Sequence, residues 1–464
     1  MSALYPVFQE DAVTDNRISD IVDADVKNVW HHLMLHQGNA PLIVVEGKGL
    51  RLKDIHGKEY LDATSGGVWC VNVGYGRTEI AEAACEQMKK MAYYAASGGN
   101  LPTIAFSEKL LTYMPGLTRV YLSNSGSEAN EKAYKMVRLL AYNGANKGKK
   151  KILYRDRDYH GTTIGALSSC GQPERRECFG PFVGGFVEFP HACCYRCAFG
   201  QSYPGCKLEC VKAIEDVICK EGPDTVGGII VEPVTAGGGI IPPVAEYYRE
   251  VSAVCKKYDV LLIMDEVVCG MGRTGTMFGY EHYGIVPDVV TLAKGVASAY
   301  MPISCTVTTE KVFSGLQVSG DKLAYFRDIS TFGGCAAGPA AALENILIIE
   351  REKLLTNVKA MGEYLLDGLK ANLSHPNVGD VRGKGLLAGM EFVADKRSRQ
   401  PLPEEKVIAL CGEMASKGVL IGRTNRCLPN HNNIINFAPA YVVTRTDIDI
   451  ILKTLREALR TVLG

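Results

Sequence analysis

Long apolar runs are missing from this sequence. No uncharged stretch approaches the roughly 20 residues that a helix needs to cross a bilayer. The opening residues, MSALYPVFQEDAVTDN, lack the positive start and apolar centre of a secretory signal. An excess of charge is also missing, because 51 basic residues balance 51 acidic ones. The composition therefore argues against a membrane protein and against a basic field for nucleic acid or anionic lipid. We expect a cytoplasmic protein whose partners are small molecules.

Cysteine, by contrast, is abundant. Sixteen cysteines in a chain without an export signal indicate reduced thiols rather than a disulfide framework. Four of them lie close together as C-x-x-C and C-x-x-x-C, namely Cys194, Cys197, Cys206 and Cys210. Four thiolates could bind zinc or an iron–sulfur cluster, although the spacer is shorter than in common zinc folds. We expect free or buried thiols and no metal; metal analysis of the purified protein tests the alternative of a metal or redox protein.

Short runs rich in Ile, Val and Leu alternate with helical patterns in the middle of the chain. Such runs, ending in polar or glycine residues, are typical of strands buried on both faces. They are KKILYRD (150–156), GGIIVEPV (227–234), DVLLIMDEV (259–267) and PDVVTLAKG (287–295). Residues 245–258 between two of them show helical spacing of apolar positions. The pattern predicts an α/β fold with a mostly parallel sheet covered by helices.

The last third of the chain changes character. Residues 338–373 show a long helical pattern, followed by a strand in GLLAGMEFV, a helix over 404–418 and a terminal helix over 446–463 opened by a Thr or Asp cap. Residues 47–67 indicate a hairpin that turns near His56 and Gly57 and packs with this smaller α+β domain. We therefore predict an N-terminal segment (1–66), a large domain (67–335) and a C-terminal domain (336–464).

Three groups of residues carry chemistry. Ser125, Gly126 and Ser127 stand between a strand end and a helix start, where backbone N–H groups and hydroxyls could cradle a phosphate or simply cap the helix. Asp265 closes a buried strand and needs a cationic or N–H partner, which a plain loop contact could also supply. Lys294 ends another strand, placed as a nucleophilic amine or as a lysine whose stem packs on the loop.

Ligands bind beyond the carboxyl ends of strands in open parallel sheets, so these groups should meet there, together with Glu232. A phosphate cradle, a carboxylate for a protonated ring nitrogen and a lysine able to form a Schiff base are the three groups that pyridoxal phosphate needs from a protein. Tyr159, in YHG after another strand, could stack on the ring. The conjunction predicts a pyridoxal 5'-phosphate enzyme.

The motifs themselves resemble a known family. SNSGSEANE, YHGTT, VEPV, MDEVVCGMGRTG, TLAKG and VRGKGLLAG occur in the order and approximate spacing of the class III, or omega, aminotransferases of pyridoxal phosphate fold type I. The resemblance covers nearly the whole chain. It implies that Lys294 and Asp265 are catalytic, Lys294 holding the cofactor and moving a proton and Asp265 pairing with the pyridine nitrogen. It also implies a set of cofactor-binding residues: Gly126, Ser127, Tyr159, Glu232, Asp265, Val267, Lys294 and Thr331.

Thr331, in STFGG, matches a threonine that reaches a phosphate across the subunit interface in the family. The resemblance therefore implies a homodimer with shared active sites, which could assemble further to a tetramer. For the substrate, it implies an aromatic wall from Trp69 and an acid-group ligand at Arg423, an arginine that swings aside for other substrates. The segment after Arg423 is longer than the usual pattern, so Arg426 could serve instead.

The resemblance implies transamination by a ping-pong cycle between an omega-amino donor and a keto acid. SGGVWCVNVGYGR and the cysteine segment together look most like members that use taurine and pyruvate and give sulfoacetaldehyde and alanine. One alternative is another donor for pyruvate, such as β-alanine or 4-aminobutyrate. A further alternative keeps the cofactor but changes the reaction to an aminomutase or a decarboxylating transaminase.

Overall fold

The computed structural model describes residues 15–38 and 40–464, so the first part of the predicted N-terminal segment lies outside the described residues. The strands form three sheets. They are β1 Val44–Lys48, β2 Arg51–Asp54, β3 Glu59–Asp62, β4 Arg119–Ser123, β5 Lys151–Arg155, β6 Phe186–Phe189, β7 Val226–Val231, β8 Leu261–Asp265, β9 Val289–Leu292, β10 Ser304–Thr308, β11 Val378–Gly383, β12 Ala388–Asp395, β13 Gln400–Pro401, β14 Val419–Leu420, β15 Gly422–Arg423 and β16 Ile434–Phe437.

Helices connect most of these strands. They are α1 Asp15–Asn28, α2 Thr78–Lys90, α3 Leu101–Leu111, α4 Gly126–Asn143, α5 Ile164–Ser168, α6 Pro173–Arg176, α7 Glu209–Glu221, α8 Tyr247–Lys257, α9 Glu310–Gly315, α10 Ala337–Arg351, α11 Leu354–Lys370, α12 Glu404–Ser416 and α13 Arg445–Leu463. Among the described helices, none combines the length and the apolar character that a membrane crossing requires.

The largest sheet has seven strands in the order β4-β10-β9-β8-β7-β5-β6. Its strand pairs are parallel except those of β10, which runs antiparallel to both β4 and β9. Every residue of β7 and β9 is buried, as expected for strands covered by helices on both faces. The predicted α/β fold with a mostly parallel sheet is confirmed.

The predicted elements fall close to the observed ones. The four apolar runs coincide with β5, β7, β8 and β9, although β7 begins one residue before its run, and the helical pattern after β7 contains α8. The long helical pattern of residues 338–373 is divided into α10 and α11, because Lys353 between them adopts a left-handed conformation (φ 52°). A residue in that conformation cannot continue a right-handed helix.

The two smaller sheets join the beginning of the chain to its end. β1, β2 and β3 form an antiparallel meander, and the predicted hairpin turn falls between β2 and β3, where Gly57 has a φ of 80°. β14, from the C-terminal third, lies parallel to β3 and pairs Val419 with Leu61. The remaining sheet, β11-β12-β16-β15 with β13 beside β12, is antiparallel. The pairing of β14 with β3 thus joins the N-terminal meander to the C-terminal third of the chain.

Candidate active site

A cavity of about 360 Å³ opens beyond the carboxyl ends of the parallel strands. Residues that follow β4, β5, β7, β8 and β9 line it, because parallel neighbours end at the same edge of a sheet. The lining includes seven residues selected from the sequence: Gly126, Ser127, Tyr159, Glu232, Asp265, Val267 and Lys294. The fold therefore brings together side chains that are far apart in the chain.

The N-terminus of α4 forms one wall of the cavity. Ser125 is the N-cap, and its hydroxyl accepts a hydrogen bond from the Glu128 N–H at 3.2 Å. Gly126 and Ser127 occupy the first turn, where free N–H groups and the helix dipole favour an anion. A Cβ at Gly126 would lie 3.1 Å from both methyl carbons of Val267, so glycine keeps this close approach possible. The wall is suited to a phosphate.

Asp265 ends β8 and is only 2% exposed. Its Oδ2 accepts a hydrogen bond from Asn130 Nδ2 at 2.9 Å and lies 2.8 Å from His160 Nδ1, while its Oδ1 accepts from the Val267 N–H at 3.0 Å. These contacts supply the partners that a buried carboxylate requires.

Asn130 and His160 also line the cavity, and the sequence analysis missed both. For His160, the signal was its place directly after Tyr159 in YHG. For Asn130, it was the spacing of four residues from Gly126, which puts the two on one face of α4.

Glu232 follows β7, and its carboxylate accepts hydrogen bonds from two backbone N–H groups. One carboxylate oxygen accepts a hydrogen bond from the Tyr159 N–H at 2.9 Å, and the other accepts from the Ala236 N–H at 3.0 Å. Burial raises the pKa of Glu232, and the nearby charges of Asp158 and Asp265 raise it further. The side chain thereby fixes the start of the segment that carries the Tyr159 ring into the cavity.

The sequence predicted that Lys294 ends a strand, and the structure places it two residues beyond the strand end. β9 stops at Leu292, and Lys294 begins a short 3-10 turn with a left-handed backbone (φ 45°). Such a conformation is uncommon for a residue with a side chain and persists where its surroundings hold it. Asn345 Nδ2 donates to the Gly295 and Val296 carbonyls at 2.9 and 3.0 Å, and a Cβ at Gly295 would meet Asn72 at 2.2 Å. The clamped turn directs the half-buried lysine into the cavity.

Three sequence-selected residues lie outside the lining: Trp69, Thr331 and Arg423. Trp69 adjoins Cys70, which does line the cavity, and its Nε1 donates to Asn436 Oδ1 at 3.3 Å. Asn436 belongs to β16 and pairs with Gly422, the neighbour of Arg423. Trp69 is thus attached to the sheet that carries Arg423. Thr331 is exposed and begins a short turn at the surface.

Arg423 and Arg426 share one acidic neighbour. Arg423 Nη1 donates to Glu404 Oε1 at 2.7 Å and to the Thr424 carbonyl at 3.1 Å. Arg426 Nη1 lies 4.0 Å from the same carboxylate oxygen, and its side chain is 58% exposed. Arg423 is therefore held by α12, whereas Arg426 extends toward solvent.

The four clustered thiols line a separate small cavity of about 30 Å³ beside Tyr247. All sixteen cysteines are free. Across residues 15–38 and 40–464, no three His, Cys, Asp or Glu side chains are arranged to hold a metal ion. Between Cys194 and Cys197, Arg196 forms an ion pair with the buried Glu391 of β12. The cysteine segment thus attaches to the C-terminal sheet.

The main cavity fits pyridoxal phosphate by the chemistry of its donors. A helix N-terminus can bind the phosphate, and a buried carboxylate with fixed partners can pair with the protonated pyridine nitrogen. A lysine amine can react with the aldehyde. Of the described residues in the lining, Lys294 is the single lysine and Asp265 and Glu232 are the carboxylates.

Known proteins resemble this chain along nearly its whole length. Residues 34–459 match the family described as aminotransferase class-III. The taurine–pyruvate aminotransferase of Bilophila wadsworthia (strain 3_1_6) is 56% identical over 447 residues, which cover 96% of this chain and 98% of that protein. The hypotaurine/taurine–pyruvate aminotransferase of Paracoccus denitrificans (strain Pd 1222) is 54% identical over 452 residues, with coverage of 96% and 98%.

Solved structures agree with this relationship. A Bacillus anthracis aminotransferase superposes with a TM-score of 0.94 at 38% identity, covering 97% of this chain and all of that one. The omega transaminase of Pseudomonas jessenii, solved in complex with PMP, gives a TM-score of 0.90 at 32% identity, with coverage of 95% and 98%. The chain belongs to the class III aminotransferases, pyridoxal phosphate enzymes of fold type I.

Proposed function

We propose that this aminotransferase transfers the amino group of taurine to pyruvate, releasing sulfoacetaldehyde and alanine. The observation that carries the proposal is the 54 to 56% identity, over 96% of the chain, to proteins named for taurine and pyruvate. The site is compatible with it, because a donor and an acceptor that each bear an acid group can use one guanidinium in turn.

Pyridoxal phosphate, when bound, supplies the electron-accepting ring that makes a carbon–hydrogen bond beside an amino group acidic. The residues of this chain bind and orient it. We assign the phosphate to the α4 N-terminus and the ring nitrogen to Asp265. The two faces of the ring are assigned to Tyr159 and Val267. The binding set is Gly126, Ser127, Tyr159, Glu232, Asp265, Val267, Lys294 and, from a second copy, Thr331.

Lys294 is assigned two tasks: to hold the cofactor through its amine and to move a proton. With the cofactor bound, Lys294 Nζ would accept the proton of the substrate carbon that bears the amino group and would serve as the donor when a proton is returned. Proton transfer of this kind requires the base to be fixed within hydrogen-bond reach of the carbon, and the clamped 294–297 turn supplies that fixation.

Arg423 is assigned to the acid group of both substrates, with Trp69 as a wall of the same pocket. In the structure, Glu404 holds the Arg423 guanidinium at 2.7 Å. Glu404 is the carboxylate that would stabilise the guanidinium when it swings aside for a substrate without an acid group. Arg426, exposed and farther from Glu404, is the alternative ligand.

The proposal extends to assembly and location. We propose a homodimer with shared sites, because Thr331 is exposed and lies outside the cavity of its own chain. We keep the division into residues 1–66, 67–335 and 336–464, which is compatible with the separate sheets of the chain. A cytoplasmic location accords with sixteen free thiols, which an oxidising compartment would not preserve.

An absorbance scan of the purified holoenzyme tests the substrate. Taurine, β-alanine, 4-aminobutyrate and alanine are added separately in the absence of any keto acid. We expect taurine to remove the long-wavelength band of the bound cofactor and pyruvate to restore it, because each half of the cycle is completed by its own substrate. Lys294→Ala is the control and should give no turnover.

Bleaching by the other donors but not by taurine would contradict the choice of taurine and leave the reaction class intact. An active Lys294→Ala variant would contradict the assignment of the catalytic lysine. Released carbon dioxide or an isomerised product would indicate the decarboxylating or aminomutase alternative.

A further inference from the structure

A four-residue helix, α6, lies between the cofactor cavity and the loop that follows Arg423. We call residues 424–432 the acid-side loop; it connects β15 to β16 and contains Arg426. α6 has too few residues to be a stable helix in isolation, and its sequence, PERR, is strongly polar. Its side chains are therefore available for contacts to other segments.

Arg175, the third residue of α6, makes three contacts. Its Nη2 donates to the Asn425 carbonyl at 2.9 Å, and its Nε donates to Gln172 Oε1 at 2.7 Å. Its guanidinium carbon lies 5.2 Å from the centre of the Tyr159 ring, within the range of a cation–π interaction. One side chain thus contacts both the acid-side loop and the aromatic ring that lines the cofactor cavity.

Gln172 extends this connection to the backbone beside the cavity. It is fully buried, and its Nε2 donates to the Arg157 carbonyl at 2.9 Å. Arg157 stands two residues before Tyr159. A continuous series of hydrogen bonds therefore runs from the segment of Tyr159 through Gln172 and Arg175 to Asn425.

Glu174 holds the same loop at two further points. Its carboxylate accepts a hydrogen bond from Asn432 Nδ2 at 2.8 Å, and its N–H donates to the Cys427 carbonyl at 3.4 Å. Asn432 Oδ1 in turn accepts from the Cys427 N–H at 3.1 Å. Asn425 and Cys427 are the two neighbours of Arg426, so α6 fixes the backbone on both sides of that arginine.

We propose that Arg175 is a positioning residue that sets the acid-side loop, and with it the acid-group arginine, at a defined place relative to the Tyr159 ring. It thereby determines how tightly the enzyme holds the sulfonate or carboxylate of its substrates. The inference rests on the proposed function, in that it assumes the acid-group ligand to be Arg423 or Arg426. Lysine cannot replace Arg175 fully, because a guanidinium donates in two directions at fixed geometry and an ammonium does not.

The test compares Arg175→Ala and Arg175→Lys with Arg176→Ala in the holoenzyme. Arg176 is the matched control: it belongs to the same helix and also stacks on a tyrosine, but it donates to Tyr154 and not to the acid-side loop. The measurements are the KM and kcat for taurine and pyruvate and the inhibition constant of isethionate, a sulfonate that has no amino group. Thermal melting of each variant reports whether it is folded.

We expect Arg175→Ala to raise both KM values and the isethionate constant by about 10-fold, the effect of losing one charge-assisted hydrogen bond. The kcat should change far less, because no residue of the acid-side loop lines the cofactor cavity. Arg175→Lys should give an intermediate effect, and Arg176→Ala should leave the three constants at the wild-type values.

A folded Arg175→Ala enzyme with unchanged KM values and an unchanged isethionate constant would overturn the inference. Equal changes in the Arg176→Ala control would do the same, since they would indicate general destabilisation. If Arg175→Ala does not fold, Arg175→Lys tests the inference through its expected intermediate rise in the three constants, and Glu174→Ala tests it because that change also releases the acid-side loop from α6. If taurine is not a substrate, the inhibition constant of isethionate is measured against another amine donor that the wild type accepts. Failure of the proposed function and failure of this inference are therefore distinguishable.

Discussion

At the scale of single residues, the setting of Asp265 depends on partners that lie far away in the chain. Asn130 and His160, which contact its carboxylate, are 135 and 105 residues distant. The sequence predicted that a buried carboxylate needs partners, because the apolar run before Asp265 indicates burial. It could not identify them, because their approach is created by the packing of α4 and of the YHG segment over the strand ends.

His282 gives a prediction about pH at the same scale. Burial, together with the charges of Lys384 and Lys359, lowers the pKa of His282 to about 4, from an ordinary value near 6.5. Below about pH 6.5, His282 binds a proton in the unfolded chain but stays neutral in the folded protein. The contribution of His282 to stability is therefore present at neutral pH and lost as the pH falls from about 6.5 toward 4.

Urea unfolding at about pH 7.5 and pH 5 measures this effect. Between pH 7.5 and pH 5, the free energy of unfolding of the wild type should fall by roughly 1–2 kcal/mol more than that of His282→Gln. This range allows for solvent screening of a partly buried group. Equal pH sensitivity of the two proteins would show that His282 titrates normally.

At the scale of elements, the terminal helix shows what a pattern determines and what it leaves open. The sequence predicted a helix over residues 446–463 with a Thr or Asp cap, and α13 begins at Arg445. The cap is the earlier Thr444, whose hydroxyl accepts from the Asp447 N–H at 3.2 Å while Asp447 Oδ2 accepts from the Thr444 N–H at 3.0 Å. Periodicity located the helix, but side-chain geometry selected its first residue.

We therefore expect Thr444→Ala to lower the free energy of unfolding by about 1 kcal/mol, the usual cost of losing a capping side chain. Thr446→Ala is the control, since Thr446 is exposed inside α13 and alanine is the better helix former. Urea unfolding of the three proteins measures the difference. A larger loss in Thr446→Ala than in Thr444→Ala would contradict the assignment of the cap.

Strands were easier to predict than the turns that follow them. Runs of Ile, Val and Leu located β5, β7, β8 and β9 within a few residues, because a strand buried on both faces is a continuous apolar run in the sequence. The left-handed turn at Lys294 was not predicted. Its conformation depends on Asn72 and Asn345, which come from distant parts of the chain.

At the scale of the whole molecule, topology explains how much of the site could be foreseen. Seven selected residues line one cavity, because parallel strands place their carboxyl ends at one edge of the sheet and strand positions can be recognised in the sequence. Trp69, Arg423 and Thr331 lie elsewhere, on loops and edges whose placement depends on tertiary packing. For Thr331, the proposed partner is a second copy, and no single chain can display that contact.

Hybrid dimers test the shared site. Lys294→Ala and Thr331→Ala chains with different tags are co-expressed, and the mixed dimer is purified. If Thr331 serves the site of the other chain, one site of the hybrid contains both wild-type residues. We then expect the hybrid to have about half the wild-type activity and a normal affinity for the cofactor at that site.

The Thr331→Ala homodimer, which has the substitution in both sites, is the comparison for this hybrid. A hybrid whose active site shows the same weakened cofactor affinity as that homodimer would place Thr331 in the site of its own chain.

The acid-side loop and the cofactor cavity come from different parts of the chain and are joined through α6. Residues between 70 and 303 line the cavity, whereas the loop occupies positions 424–432. Under the proposed assignments, a lineage can acquire a preference for a new acid group by exchanging one surface turn, while the lysine and carboxylate assigned to the chemistry stay untouched. Protein engineers can use the same separation, recombining loops and short helices on a constant catalytic base.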